Sequence, residues 1–249
     1  MAEYNKKYSM HFDIACYMSD YNRILRPSAF LDCAQDIATK AAGSLDFGDA
    51  ALKAHNCVWI LARQQVQFLK PVRFGDVVRL DSWHKGLKGI NFLRDYQMLS
   101  EDGEPMVNST SSWIIMDIAE RRLCRDEAVM SRVPAEPQSE DHAIESPCPK
   151  VVMPRSVQPE LIGTHVVNYS DTDFNLHANN VKYTVWALDA LPESLVYEHF
   201  LKELTINFNR EARRGETVEL YHAFVDGAHI IEGKVDGVQV FIEKLIFEE

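Results

Sequence analysis

The sequence contains no apolar run of about 18 residues, the length that a membrane-spanning helix needs. It has no C-x-x-C pair, which argues against a zinc site or a redox dithiol, and its five cysteines are odd in number and widely spaced. We therefore expect reduced thiols, no metal and no cofactor. The amino-terminal residues lack the apolar core of a signal peptide, so we expect a cytoplasmic location and no membrane contact.

Positive charge is also scarce: 26 Lys and Arg residues face 37 Asp and Glu residues, for a net charge of −11. Non-specific nucleic-acid binding needs a basic surface, so we expect no nucleic-acid partner. A local basic patch can override a net charge, so an acidic protein partner stays possible. The densest basic clusters, Arg121-Arg122-x-x-Arg125 and Arg210-x-x-Arg213-Arg214, are typical of a solvated surface.

The chain contains an internal repeat. Residues 66–80 align with residues 206–220 at an offset of 140 positions, and residues 20–30 align with residues 173–183 at an offset of 153. Two matches in the same order indicate two copies of one unit, rather than chance similarity of short amphipathic segments. Six of the ten prolines lie between the copies. We therefore predict an N-terminal unit over residues 1–125, an extended linker over 126–160 and a C-terminal unit over 161–249.

Each copy has the same order of predicted elements. A short strand, at 8–17 and at 164–169, leads into a turn that carries Asp-x-Asn and then into a helix. The apolar helix faces are Phe30, Ala34, Ile37, Ala38 and Ala41 in the first copy, and Val181, Val185 and Leu188 in the second. Strands follow near 58–70, 76–85, 90–99 and 107–118, and near 204–210, 217–225, 229–234 and 238–247. This order predicts an α+β fold in which each unit packs a helix on an antiparallel sheet.

Comparing the copies separates shared residues from unshared ones. Both keep the Asp-x-Asn, but the second has His177 where the first has Ile24, and Glu211 where the first has Pro71. A structural role common to both units would not require His and Glu in one alone. The asymmetry therefore predicts one active site, in the second copy.

Each of these residues also has a structural alternative. Asp173 and Asn175 precede a helix, where Asx side chains cap backbone donors whatever the function. His177 could be a packed or surface histidine, and Glu211 could be an ion-pair partner of the neighbouring arginines.

The pattern D-x-N-x-H-x-N-N-x-K-Y over residues 173–183, with Trp186 downstream and Asn209-Arg210-Glu211 after the next strand, resembles the acyl-acyl-carrier-protein thioesterases of plants and bacteria. The resemblance covers nearly the whole chain. It implies a tandem double hotdog fold and hydrolysis of fatty acyl thioesters of acyl carrier protein. It carries catalytic roles onto Asp173, Asn175, His177 and Glu211. Some family members have a cysteine after this glutamate; Ala212 stands there here, so a nucleophilic cysteine at that position is excluded.

For the mechanism, we expect Glu211 or Asp173 to activate water or to attack directly, because the chain lacks a G-x-S-x-G serine motif. His177 would stabilise that charge or relay the proton, and Asn175 would position the water or donate to the oxyanion. Backbone N–H groups at the helix start near Asn179 and Asn180 are further candidate oxyanion donors.

Three alternative functions share this fold: an acyl-CoA thioesterase, a non-catalytic acyl-thioester-binding protein, and a hydratase or dehydratase. The expected partner is acyl carrier protein with its phosphopantetheine-linked acyl chain, and the protein itself would be a monomer or a homodimer. We expect the acyl tunnel to be lined by the first unit and its helix, with Phe30, Ala34 and residues near Trp59 as candidates.

Overall fold

The computed structural model describes residues 6–248, and its strands form one antiparallel sheet. The strands are β1 (Tyr8–Asp13), β2 (Cys57–Phe68), β3 (Val77–Lys88), β4 (Asn91–Ser100), β5 (Pro105–Asp117), β6 (Arg122–Leu123), β7 (Glu160–Val166), β8 (Leu201–Phe208), β9 (Thr217–Val225), β10 (Ala228–Val235) and β11 (Val238–Phe247). They lie in the order β1-β3-β4-β5-β2-β8-β11-β10-β9-β7, with β6 beside β5.

This order is symmetric about the contact between β2 and β8. In that contact, residues 63–67 of β2 pair antiparallel with residues 203–207 of β8. Strands 1 to 5 of the first half occupy the same relative places as strands 7 to 11 of the second. The sheet therefore reproduces the sequence repeat, and the two copies join edge to edge.

Five helices lie in the described part of the chain: α1 (Pro27–Ser44), α2 (Asp49–Lys53), α3 (Glu127–Met130), α4 (Asn180–Asp189) and α5 (Glu193–Glu198). Helices α1 and α4 pack on the same face of the sheet and share one hydrophobic core. All five apolar residues predicted for the first helix are buried. In α4, Val181 is buried but Val185 and Leu188 are only partly so, because Tyr183 and Trp186 fill the core instead.

The arrangement of one helix against an antiparallel meander in each half confirms the predicted α+β class. The first strand was predicted to reach residue 17 but ends at Asp13, because the chain turns away through a 3₁₀ turn at Cys16–Met18. The strand predicted at 164–169 spans Glu160–Val166 instead. None of the helices within residues 6–248 is long and apolar enough to cross a membrane.

The segment between the copies is not a free spacer. It contains α3, and beyond that helix it is hydrogen bonded to strands of both halves. Trp83 Nε1 donates to Asp141 O at 2.9 Å, and the side chain of Asn207 bonds both N and O of Val151, at 3.2 and 2.7 Å. These hydrogen-bond partners are distant in sequence, so the local sequence of the segment did not indicate them. The boundaries at 126 and 160 stay a prediction.

Candidate active site

A cavity of about 900 Å³ is lined by residues from both halves of the chain. Its apolar wall comes from α1, the residues after it, and strands β2, β4 and β5; its main members are Ala38, Ala42, Phe47, Trp59, Phe92 and Trp113. Its polar wall comes from the second half and includes Asp173, Asn175, His177, Asn180 and Glu211. The structure thus brings the four predicted catalytic residues to one cavity.

The turn that carries Asp173, Asn175 and His177 is held by its own backbone. Asp173 N donates to His177 O at 3.1 Å, and Asp173 Oδ1 accepts the N–H of Asn175 at 2.8 Å. Leu176 has a left-handed φ of 65°, which closes the turn. The structural role proposed for Asp173 therefore exists, and the residue lines the cavity as well.

A second turn, between β8 and β9, brings Glu211 to this one. Ala178 N donates to Ala212 O at 2.8 Å, so the two turns lie side by side. His177 Nε2 is consequently 3.8 Å from Glu211 Oε1. His177 Nδ1 lies 3.0 Å from Ala178 O. Because a carbonyl oxygen can only accept, Nδ1 carries a proton and Nε2 is the nitrogen that faces the carboxylate.

The separation between His177 and Glu211 has a chemical consequence. At 3.8 Å it exceeds a direct hydrogen bond, and a water to one side of the pair can contact both groups. Glu211 Oε2 also lies 3.7 Å from a guanidinium nitrogen of Arg213. The Glu211 side chain is 44% exposed and that of His177 is 22% exposed, so both can be reached from the cavity.

Tyr183 is a residue whose role the sequence did not reveal. Its hydroxyl accepts the N–H of Ala212 at 3.0 Å and donates to Arg210 O at 3.3 Å, so it binds the peptides on both sides of Glu211. Burial raises the pKa of Tyr183 to about 12, which keeps the hydroxyl protonated. The aligned residue in the first copy is Phe30, which has no hydroxyl. This difference between the copies was the sequence signal that could have identified the role of Tyr183.

The two asparagines at the start of α4 divide their roles. Asn179 is the N-cap: its side chain accepts Val181 N at 2.9 Å, and its own N–H donates to Asp171 O at 2.8 Å. Asn180 lines the cavity, whereas Asn179 is not among the lining residues. Of the two candidate oxyanion donors, Asn180 is therefore the one placed to meet a substrate.

Two of the candidates for the acyl tunnel lie elsewhere. Trp59 lines the cavity, but Phe30 and Ala34 are core residues outside its lining. Phe30 packs edge-on against Phe68, with ring centroids 6.1 Å apart. The cavity runs along the next face of α1, which carries Gln35, Ala38 and Ala42. The cavity therefore follows the predicted helix but not the positions of Phe30 and Ala34.

The first copy presents no equivalent polar set to the cavity. Asp20 Oδ1 accepts the N–H of Ile24 at 2.8 Å, and Asn22 Nδ2 donates to Tyr197 O at 2.7 Å. None of Asp20, Asn22 and Ile24 is among the lining residues. In the described part of the chain, no group of three or more His, Cys, Asp or Glu side chains could hold a metal ion.

Two family models match the chain. The acyl-ACP thioesterase N-terminal domain matches residues 5–130, and the acyl-ACP thioesterase C-terminal domain matches residues 156–242. Together they cover both copies of the repeat.

Individual relatives agree with the family models. Oleoyl-acyl carrier protein thioesterase 1, chloroplastic, of Arabidopsis thaliana is 26% identical over 236 residues, covering 88% of this chain and 64% of the relative. Palmitoyl-acyl carrier protein thioesterase, chloroplastic, of Gossypium hirsutum is 28% identical over 221 residues, covering 85% and 54%. The chain thus spans between about half and two thirds of the length of these relatives.

Solved structures share the fold. An acyl-ACP thioesterase from Bacteroides thetaiotaomicron superimposes with a TM-score of 0.87 at 21% identity, covering 100% of both chains. The 12:0-ACP thioesterase from Umbellularia californica gives a TM-score of 0.82 at 20% identity, covering 97% of both chains. These likenesses confirm the predicted tandem hotdog fold. With both halves matched by the family models, this chain belongs to the acyl-ACP thioesterase family.

Proposed function

We propose that the protein hydrolyses fatty acyl thioesters of acyl carrier protein, releasing a free fatty acid and the carrier with its phosphopantetheine thiol, and so ends or diverts fatty acid synthesis. The observation that carries this proposal is an imidazole and a carboxylate, 3.8 Å apart, at the polar wall of a cavity whose other wall carries aromatic and aliphatic side chains. The apolar wall suits an acyl chain, and the polar wall suits its thioester carbonyl.

The reaction needs an activated water. A water between Glu211 and His177 would give a proton to the carboxylate as its oxygen attacks the thioester carbon. The C–S bond then breaks, and the departing thiolate takes a proton from the pair, with His177 as the relay. Glu211 suits the base better than Asp173, because one oxygen of Asp173 already accepts a turn N–H.

Charge accumulates on the carbonyl oxygen during the attack. The side chains of Asn175 and Asn180 line the same cavity and can donate to that oxygen. The N-terminus of α4, which begins at Asn180, adds the positive end of a helix dipole. Glu211, His177 and Asn175 thus have roles in this proposal, while Asp173 holds the turn that carries Asn175 and His177, and its catalytic role stays a prediction.

Arginines in the cavity wall support acyl carrier protein as the carrier of the acyl chain. Arg121 comes from the first basic cluster and Arg210 and Arg213 from the second, yet all three line the cavity. Guanidinium groups recognise phosphate, and the phosphopantetheine arm has a phosphodiester. Since coenzyme A has phosphates too, an acyl-CoA thioesterase is the second candidate. The cytoplasmic location and the oligomeric state stay predictions.

The deciding experiment compares carriers. Saturated acyl chains of several lengths, each attached either to acyl carrier protein or to coenzyme A, would be offered to the purified protein while fatty acid release is followed by mass spectrometry. We expect a higher kcat/KM on acyl carrier protein. Equal or faster turnover on coenzyme A would favour the second candidate, and binding without turnover on both would identify a non-catalytic acyl-thioester-binding protein.

A further inference from the structure

The cavity has two ends that can be told apart along α1. Gln35 shares a small gap with Asn180 and Val181 of α4, so it marks the end near the polar wall. Ala42 lies seven residues further along the helix, about 10 Å away at 1.5 Å per residue. Phe47 follows the end of the helix and lines the cavity as well. The inner end therefore lies at Ala42 and Phe47.

Three buried apolar side chains converge at this inner end. Phe47, Phe92 and Val133 are each less than 5% exposed, line the cavity and belong to one hydrophobic cluster. The aromatic members are held by Trp59, whose ring packs edge-on against Phe92 with centroids 5.2 Å apart and whose Nε1 donates to Phe47 O at 2.9 Å. Val133 differs from the others because it comes from the segment that connects the two copies.

Residues 131–138 of that segment, here called the strap, are fixed to β3. Gln138 N donates to His84 O at 2.8 Å, and His84 N donates to the side-chain oxygen of Gln138 at 2.9 Å. His84 Nε2 lies 2.8 Å from Pro134 O. Burial lowers the pKa of His84 to about 4, so the neutral ring donates this hydrogen bond next to Val133.

The backbone of β3 also fits closely against the strap. Leu87 N donates to Ala135 O at 3.0 Å. Gly86 has a φ of 99°, and a Cβ there would lie 3.0 Å from Ala135 O. A side chain at this position would force a small shift of the strap and would be strained at this φ, so both observations favour glycine. Val133 is thus presented to the cavity from a seated, hydrogen-bonded segment.

We propose that the strap forms the end wall of the acyl cavity and that Val133 sets the longest chain the protein accepts. The inference rests on the proposed function, since it takes the cavity as the acyl site. An extended chain with its thioester at His177 and Glu211 runs along Ala38 and Ala42 and ends against Val133. Chain-length choice then depends on a residue outside the helix and strands that form the rest of the wall.

The test uses two substitutions at the end wall. Val133→Ala makes room for a longer chain, and Val133→Leu removes room. For Val133→Ala we expect kcat/KM on the chain two carbons longer than the wild-type optimum, relative to kcat/KM on that optimum, to rise about tenfold. For Val133→Leu the optimum shifts to a shorter chain. The readout is a chain-length profile on acyl carrier protein substrates.

Val129→Ala is the matched control, because Val129 is fully buried in the same hydrophobic cluster but does not line the cavity. It should lose stability as Val133→Ala does and keep the wild-type profile. Folded Val133→Ala and Val133→Leu variants with the wild-type profile would overturn the proposal, as would a Val129→Ala profile that shifts equally.

A binding measurement separates this proposal from the proposed function. Trp59 and Trp113 line the cavity, so their fluorescence can report binding of free fatty acids of different lengths. If the wild type hydrolyses no acyl thioester but Val133→Ala binds longer fatty acids more tightly than the wild type, the function is wrong and the end wall is correct. If the Val133 variants bind fatty acids with the same length preference as the wild type, the end-wall proposal is wrong even when hydrolysis is observed.

Discussion

The turn after β1 and the turn after β7 have the same backbone and different side chains. Leu25 N donates to Val72 O and Ala178 N donates to Ala212 O, both at 2.8 Å. In each turn one residue takes a left-handed φ, of 60° in the first and 65° in the second. The scaffold therefore builds this turn with or without a histidine, so His177 is not needed for the local fold.

The side chains at matched positions have diverged in use. Asn22 donates to Tyr197 O and braces the first copy against α5 of the second. Asn175, at the matched position, is exposed and lines the cavity. One copy thus uses the asparagine in a contact between the two halves, and the other places it at the cavity.

The space beside each helix has diverged as well. Helix α1 has 18 residues and is followed by α2, whereas α4 has 10. His84 lies in the wall of the cavity, but Phe224, its counterpart in the second copy, is 63% exposed. The first copy thus provides most of the apolar wall and the second provides the candidate catalytic residues His177 and Glu211, so the two copies contribute different parts of the candidate site.

The largest expected effect comes from removing the unshared polar pair. His177→Ala and Glu211→Ala should each lower kcat/KM on acyl carrier protein substrates by about 10²–10⁴-fold, the range typical of general acid–base groups. Ile24→Ala, at the position matched to His177, is the control and should retain turnover. The assay is fatty acid release, with folding checked by circular dichroism. A loss from Ile24→Ala as large as that from His177→Ala would contradict a single active site in the second copy.

Glu243 is a further residue that the two copies do not share, and its burial predicts that stability depends on pH. Glu243 is fully buried on β11, where the first copy has Ser109, and burial raises its pKa to about 8 from an ordinary value of 4.5. The unfolded chain therefore loses this proton at a lower pH than the folded one. Stability from the neutral acid is present below pH 4.5 and is lost as pH rises to about 8.

Glu243→Gln should abolish this decline, because the amide cannot ionise and can still accept from Thr184 Oγ1. At the upper end of the window the variant should be more stable than the wild type, by an amount on the order of 2 kcal/mol. The measurement is the free energy of unfolding in denaturant across the window. Glu232→Gln on the neighbouring strand is the control and should keep the wild-type decline. A wild type whose stability is flat with pH would contradict the prediction.

We expect a smaller effect on turnover from Tyr183→Phe, which places in the second copy the residue that the first copy has at the matched position, Phe30. Tyr183→Phe removes the two hydrogen bonds that flank Glu211. We expect kcat to fall about tenfold, or about 1.4 kcal/mol, with KM nearly unchanged, since each of the two lost hydrogen bonds costs about 0.5–1.5 kcal/mol and the carboxylate is positioned for the transition state.

Tyr221→Phe is the control for this substitution. It removes a hydroxyl of the second copy that donates to Glu219 on β9, and neither residue lines the cavity. It should leave kcat unchanged. A Tyr183→Phe variant that raises KM alone would assign the tyrosine to substrate binding instead.

The features that were predicted correctly from the sequence are local in the chain or occur in both copies of the repeat. The repeat gave the order of the elements, and the unshared residues His177 and Glu211 do meet at one cavity. Features that depend on contacts between distant parts of the chain were missed. The bond from Tyr183 to the turn after β8 and the seating of Val133 by His84 are of this kind, because neither leaves a periodic pattern. Helices α2 and α5 were missed because they are too short to show an apolar face.

The pairing of β2 with β8 also governs how the chain folds. Residues 63–67 and 203–207 are made at different times on the ribosome, and contacts of such separation slow folding. Until β8 is made, the outer edge of β2 has no partner, and an open edge can recruit other chains. Four of the five β2 residues there are polar, namely Arg63, Gln64, Gln65 and Gln67. These polar side chains should keep the incompletely synthesised chain from aggregating before its second half is made.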